Sequence, residues 1–456
     1  MGDFSGLQIA LSSLYAQRKA LQVTGQNIAN VNTDGYSRQR VEMAANAGPM
    51  TPAVESRYTG PGMGVTTGDT TRLRDQFLEL RGYQEHATDA GLTQTQSVLS
   101  RIELAFDEPS DDGLSKVISN FMAGFDDVAN NPDDLAARAQ LVEQGKTLAA
   151  GFSQLDSALA TQRSSTIDEL NSLVGEVNGS ASQIAELNQS ISSAINGGFS
   201  PNELMDQRDQ LISKLAEQVG ATVRPGDDGQ VDVFVGGTAL VRGTQASPLR
   251  VDVGTDPAQT VRAVWTADGY PAGVAGSAGA MLSATNDVIP RYRDGLAAAA
   301  QQLADEVNAV HRTGYALDGS TNRDFFVAAP GGGIQVDPAI AADPSLVAAS
   351  ASAGATRDGS VAQQIAELTG GGDAYHRLVV NLGVEAQANN RRVDVQASIV
   401  QHVDAARESA AGVNLDEEMT SMLEYQHAYD AASRFLTAVD QTLDTLINQT
   451  GLVGRS

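Results

Sequence analysis

Between Asn414 and Asn448 the apolar side chains recur at alternating steps of three and four: Met422, Tyr425, Tyr429, Ala432, Leu436, Val439, Leu443 and Leu446. This is the 3.5-residue rhythm of a helix with one narrow apolar seam, the pattern of a coiled-coil strip. Asn414 stands where an N-cap belongs, and Glu417 three residues later completes a capping box. Asp416, Glu417 and Glu418 crowd the first turn, at the positive end of the helix dipole. Neither proline nor glycine interrupts the stretch, which as a helix would run about 50 Å. Burying these seam side chains would contribute on the order of 10–20 kcal/mol as an upper bound. One helix alone has nowhere to bury them, so the seam requires a partner.

The other end of the chain offers one. Phe4, Leu7, Leu11, Leu14, Arg18, Leu21, Gly25 and Ile28 keep the same rhythm, with Arg18 and Gly25 as interruptions. The pattern predicts a hairpin of the two terminal helices that packs against copies of itself or of relatives. The plainer alternative is a pair of ordinary surface helices on one globular body. Because assembly would supply the seam's partners, the isolated monomer is expected to be folded in its middle and largely disordered over 1–40 and 415–456. Ordering those helices costs about 1–2 kcal/mol per residue.

Taken in order, residues 3–31 read as the first helix. It ends in the run Asn27–Arg40, where Asn30, Asn32, Thr33, Asp34 and Gly35 are turn formers. Gly35 suits a left-handed C′ position, and Tyr36 is placed to fold back onto the helix end. Residues 41–70 lack a period and carry Pro49, Pro52 and Pro61, which predicts an extended arm with short strands. Helical spacing resumes at Arg72 and continues in segments ending near 106, 130, 161, 196 and 219, with 132–161 and 163–196 read as separate helices. From Ala221 the period changes to two. Val231, Val233 and Val235, then Leu249, Val251 and Val253, then Val261, Ala263 and Trp265 read as the hairpins of a small β domain. A helix over 279–312, loops and short strands over 313–355, and helices near 359–369 and 374–411 follow.

The fold class expected is mainly α with an inserted β domain: terminal helices forming an α-helical coiled coil, a long helical-bundle rod domain and a small outer β-rich domain. The corresponding boundaries are 1–57 for the N-terminal part of the coiled-coil core and the arm, and 58–220 for the first part of the rod. They continue as 221–275 for the β-rich outer domain, 276–412 for the second part of the rod, and 413–456 for the C-terminal core helix.

Composition narrows the function. At 456 residues the chain is too long for one core. Thirty basic against fifty-six acidic residues leave a net charge of −26, which argues against nucleic acid and against an anionic membrane as partner. The absence of cysteine excludes thiolate metal sites, thiol nucleophiles and disulfides. No cleavable signal, no myristoylation site (Gly6 takes the place of Ser or Thr) and no long apolar run is present, so export is expected to read an uncleaved terminus.

Candidate chemistry fails its tests one motif at a time. His86, His311, His376, His402 and His427 are scattered outside any zinc-binding signature. Aligned on Gly113, the acidic loop Asp107–Gly113 puts Ser110 and Ser119 where calcium needs carboxylates. Gly60–Gly64 has no strand–helix unit around it, and the pairs Asp126/Asp127, Asp133/Asp134 and Asp227/Asp228 read as caps and solvated faces. No catalytic constellation, metal or cofactor is expected, and the chain is not expected to be an enzyme.

Two stretches carry a family likeness. VTGQNIANVNTDGYSRQRVEM (Val23–Met43) resembles the N-terminal motif of the flagellar axial proteins of rod, hook and hook–filament junction, and Gly412–Asn448 resembles their C-terminal motif. Ser37 and the following Arg38-Gln39-Arg40, with the middle segments Gly62–Leu78, Glu108–Pro132 and Gly276–Phe326, are most similar to the hook-associated protein 1 family. The resemblance implies a secreted structural protein, exported unfolded through the flagellar type III apparatus with a cytosolic chaperone on the C-terminal helix. It further implies a ring at the hook tip, made by self-association and contacting the hook protein and the second junction protein, hook-associated protein 3. In that ring Asn27, Asn30, Asn32, Gly35 and Tyr36 would shape the helix end. Leu7, Leu11, Leu14, Leu21, Ile28, Met422, Tyr425, Tyr429, Leu436, Val439, Leu443 and Leu446 would form the packing seam. A distal rod or hook subunit is the alternative within the same class; a hydrolase or sugar-binding module grafted on an axial protein is the alternative outside it.

Overall fold

A computed structural model describes residues 2–46, 62–254, 260–330 and 332–449. The Phe4 side chain and the middle of the expected arm, with Pro49, Pro52, Gly60 and Pro61, lie outside the described parts. In chain order the elements are α1 (Gly2–Ala29), β1 (Gln39–Ala45), β2 (Val65–Arg72), α2 (Gln76–Phe106), α3 (Leu114–Asn130), α4 (Leu135–Asn196) and α5 (Asn202–Val219). Strands β3 (Thr222–Pro225), β4 (Val231–Val235), β5 (Thr238–Arg242), β6 (Gln245–Ala246), β7 (Leu249–Asp252) and β8 (Arg262–Trp265) follow. Then come α6 (Gly276–Ser283), a π turn at Ala284–Val288, α7 (Ile289–His311), β9 (Phe326–Ala328), β10 (Ile334–Val336), α8 (Pro338–Ala342), α9 (Ser360–Ala366), α10 (Gly370–Ala411) and α11 (Leu415–Asp444). The mainly helical class with small antiparallel sheets is borne out.

The chain forms two compact units. The first comprises Met1–His86, Asn178–Pro248 and Ser398–Ser456; the second comprises Ala87–Val177 and Leu249–Ala397. The expected boundaries need correcting. Strands β3 to β6 make a four-stranded antiparallel sheet that belongs to the first unit, whereas β7 pairs with β8 in the second. No single β domain spans 221–275. The two helices expected at 132–161 and 163–196 are one helix of 62 residues, α4. No breaker stands at the supposed joint: Gln162 stays helical, its carbonyl accepting from the Thr166 hydroxyl at 2.9 Å. Helices α2, α4 and α10 each contribute residues to both units, so a change from helical to strand texture does not mark the boundary.

In the first unit, the sheet is fastened to helices by one buried amide. Asn188 of α4 donates to the carbonyls of Val231 and Gly243 at 2.8 and 2.7 Å and accepts from the Val231 amide and from Arg208. Arg208 of α5 also donates to the Gly229 carbonyl at 2.7 Å. A two-residue turn at Gly236-Gly237, both at positive φ, closes the β4–β5 hairpin as the glycines predict.

The second unit has its own core, built where helical apolar faces converge. Phe121, Phe125, Phe325 and Phe326 lie with ring centroids 4.9–5.5 Å apart. Polar groups inside it are hydrogen-bonded, as burial requires. Asn308 receives the amides of Phe325 and Phe326 and donates to the Phe326 carbonyl. The His311 ring, wholly buried, meets the Arg323 carbonyl through Nδ1 at 2.8 Å and accepts the Ala348 amide at Nε2 at 2.9 Å. Arg138, also buried, donates to the carbonyls of Pro132 and Val347, and burial pulls its guanidinium down to about 10.

Candidate assembly interface: the terminal helix pair and its polar base

Helices α1 and α11 pack against each other antiparallel. A Cβ placed on Gly6 would sit 3.5 Å from Val439 Cγ2, while at the far end Asn27 Nδ2 donates to Glu418 Oε2 at 3.0 Å. Along the expected seam of α11, Met422, Tyr425, Leu436, Val439 and Leu443 are half-buried and Ala432 is buried. Tyr429 and Leu446 are exposed. On α1 most of the expected leucine rhythm is half-buried as well, but the fully buried positions are others. Leu7, Leu14, Leu21 and Ile28 are half-buried and Leu11 is exposed; the buried positions are Ala10, Ala16, Ala20, Thr24 and Asn27.

Within one chain the pair is under-packed. Among its described residues α11 fully buries Glu418 and Ala432 alone. Leu415, Met419, Leu423, Phe435 and Ile447 are 44–74% exposed. The expectation of disorder over 1–40 and 415–456 is corrected to this extent: residues 2–29 and 415–449 are helical, and each helix supplies the other with a partner. What stays open is the outer apolar surface, which one chain does not cover.

The base of the pair is a dense polar network that the sequence reading placed only in part. Asn27, 1% exposed, donates to the Gln39 carbonyl and to Glu418, and accepts from the Tyr36 hydroxyl at 2.8 Å and from the Gln39 amide at 3.0 Å. Burial, followed by the charges of Asp206, Glu203 and Glu418, holds the Tyr36 phenol well above its ordinary range, so it stays a donor. Arg38 donates from Nε to Glu418 and from Nη1 to Glu417, both at 2.7 Å. Burial opposes its charge, but these two carboxylates raise its pKa overall. Asn414 caps α11 by accepting from the amides of Asp416 and Glu417, which bears out its expected role.

A second layer ties this base to α5. Asp206 accepts from the Ser37 hydroxyl and from Arg72, both at 2.8 Å, and Asp209 accepts from Arg72 and Arg74. Asn202 bridges the Gln39 side chain and the Thr70 carbonyl. Gly35 has φ +77, and a Cβ there would collide with Gln210, whose amide donates to the Asp34 carbonyl. Of the expected helix-end residues, Asn27, Gly35 and Tyr36 are thus built into the network. Asn30 makes local helix-end bonds to Gln26 and Thr33, and Asn32 is exposed. Missed were Arg38, Arg72, Asn202, Asp206, Asp209 and Glu418. The signals were present: two acidic residues spaced i, i+3 on α5, and a basic residue directly after the turn.

No group of three His, Cys, Asp or Glu among the described residues is arranged to hold a metal ion, and no described helix is long and apolar enough to cross a membrane. The geometry is that of a packing surface with a rigid polar base.

Comparison with known proteins places these segments. Residues 99–326 match the family model described as the flagellar hook-associated protein FlgK helical domain. Residues 7–36 match that of the flagella basal body rod protein, and residues 406–449 that of the flagellar basal body rod FlgEFG protein C-terminal. The flagellar hook-associated protein 1 of Bacillus subtilis is 31% identical over 99% of this chain and 99% of its own length. That of Salmonella typhimurium is 33% identical over 70% of this chain, a match that spans 58% of the relative. The solved structure of the flagellar hook junction protein FlgK from Burkholderia pseudomallei aligns with a TM-score of 0.49 and 27% identity, over 55% of this chain and 46% of that one.

Proposed function

Because the chain belongs to the flagellar hook-associated protein 1 family, we propose that it is the junction subunit that assembles as a ring at the hook tip and connects hook to filament. It is a structural, hook-associated component of the flagellum. The proposed partners are further copies of itself, the hook protein and the second junction protein, with a cytosolic export chaperone holding α11 before secretion. Its role is proposed to be mechanical, without catalysis.

The observation that carries this reading is the incompletely covered pair α1–α11. Leu415, Met419, Leu423 and Ile447 are exposed on a helix whose other face already meets α1. Neighbouring subunits would cover that outer surface, while the polar base keeps each pair fixed to its own unit. A hook and a filament differ mechanically, and a subunit between them must bind both.

The test is an electron-microscopy view of flagella from a strain lacking this protein. Intact hooks without filaments, with flagellin shed into the medium, are the expected result. Missing hooks would assign the chain to the distal rod or hook instead, and normal filaments would refute the junction role.

A further inference from the structure

The fully buried positions of α1 have a property that the seam of α11 does not share: before Asn27 they are small side chains. Ala10, Ala16, Ala20 and Thr24 succeed one another toward Asn27, and Gly6 before them lies against Val439 of α11. From Gly6 to Asn27, and from Val439 back to Glu418, is the same step of 21 residues, three heptads. A row of small residues offers no distinct hole for any one of Tyr425, Leu436, Val439 or Leu443. Sliding α11 by one heptad therefore meets much the same surface, and apolar packing alone does not choose between the registers.

We propose that the buried contact of Glu418 with Asn27 and Arg38 is a register lock, which selects one of the heptad-spaced alignments of α1 with α11 that the apolar seam would otherwise accept. Glu418 is 3% exposed and receives two donors, Asn27 Nδ2 at 3.0 Å and Arg38 Nε at 2.7 Å. A shift of one heptad in one direction carries its carboxylate toward Ala20, a buried position that has no side-chain donor. A shift in the other direction carries it beyond Ala29, the end of α1. In either case Asn27 and Arg38 lose the acceptor. A single buried polar contact fixes alignment in this way at some cost in stability. Arg38 is in turn held by its own backbone, its amide donating to the Ala411 carbonyl and its carbonyl accepting from Leu73. The lock is thereby anchored to the first unit rather than to the pair alone, and it sets which residues of α11 stand at the outer end, where neighbours are proposed to dock.

The lock concerns one chain and does not depend on the flagellar role. It is tested on the purified full chain, whose lack of cysteine gives a clean background for disulfide trapping. The pair Gly6→Cys with Val439→Cys reports the present register. Gly6→Cys with Ala432→Cys and Gly6→Cys with Leu446→Cys report slips of one heptad either way. With Glu418 intact, oxidation is expected to cross-link the first pair and neither slipped pair. With Glu418→Leu, which suits an apolar seam, the in-register product should fall and a slipped product should appear. Slipped products already abundant with Glu418 intact would overturn the proposal without reference to any variant's folding. So would a Glu418→Leu protein that remains helical and cross-links only in register. Glu418→Gln keeps one acceptor oxygen for Arg38 or Asn27 but sets an amide NH2 against the other donor, so it should slip less than Glu418→Leu; slipping as extensive as in Glu418→Leu would mean that hydrogen bonding at this position does not set the register.

Discussion

Asn27 does more than end a helix: its amide holds a strand carbonyl and amide, a tyrosine hydroxyl and a carboxylate from the opposite end of the chain. Replacing it by alanine leaves several of these buried groups unpaired, and each such group costs about 1–3 kcal/mol. Asn27→Ala is therefore expected to lower the unfolding free energy of the first unit by roughly 3 kcal/mol or more in denaturant titration, with little change in the second. Its importance was visible in the sequence only as a turn former near a helix end. That its partners would be Gln39, twelve residues on, and Glu418, at the opposite end of the chain, was not visible, since hydrogen bonds between residues apart in sequence leave no local pattern.

His311 shows the same limit. It read as one of five scattered solvated histidines, yet it is sealed in the core of the second unit. Burial, which outweighs the help of the Arg323 carbonyl and Asp324, brings its pKa down from 6.5 to about 4. With the folded value below the unfolded one, the unfolded chain binds the extra proton between these limits, so stability rises with pH there. The contribution is fully present above pH 6.5 and is lost as pH falls toward 4, on the order of 3 kcal/mol in all. Thermal unfolding of the second unit followed from pH 7 to pH 4 should show this loss. His311→Gln should be less stable at pH 7 but flatter across that range; an equally steep acid response in the variant would assign the effect to other groups.

At the scale of elements, the helices were legible where one face repeats and breakers mark the ends, and most predicted helices stand within a few residues of their places. On α11 the seam positions other than Tyr429 and Leu446 are half-buried or buried. On α1 the fully buried positions, Ala10, Ala16 and Ala20 among them, were not read, because side-chain size was taken as a proxy for burial. The half-buried seam positions then make a separable prediction. Leu436→Asp or Leu443→Asp introduces a charge into the pair, at a cost of several kcal/mol if it stays buried, and both positions belong to the first unit. Such variants should keep the thermal transition of the second unit while abolishing swimming and hook-tip assembly. Normal swimming would show that this face does not serve assembly.

For the whole molecule, terminal motifs and helical texture indicated the class and the kind of role, whereas the division into units was hidden. Three helices belong partly to each unit, and the β segment is divided between them. A boundary inside a continuous helix changes neither the hydrophobic period nor the composition, so nothing in the string marks it. The central claim is that the α1–α11 pair is formed but thinly covered in one chain and acquires its remaining partners on assembly. Segments with few buried contacts open at low free-energy cost. Amide hydrogen exchange, compared between the dilute monomer and protein assembled on hooks, reads this directly. The account predicts fast exchange along α11 beyond Tyr425 in the monomer, slow exchange in the core of the second unit, and a marked gain of protection in α11 on assembly. Protection of α11 in the dilute monomer equal to that of the second unit's core, unchanged by assembly, would contradict it.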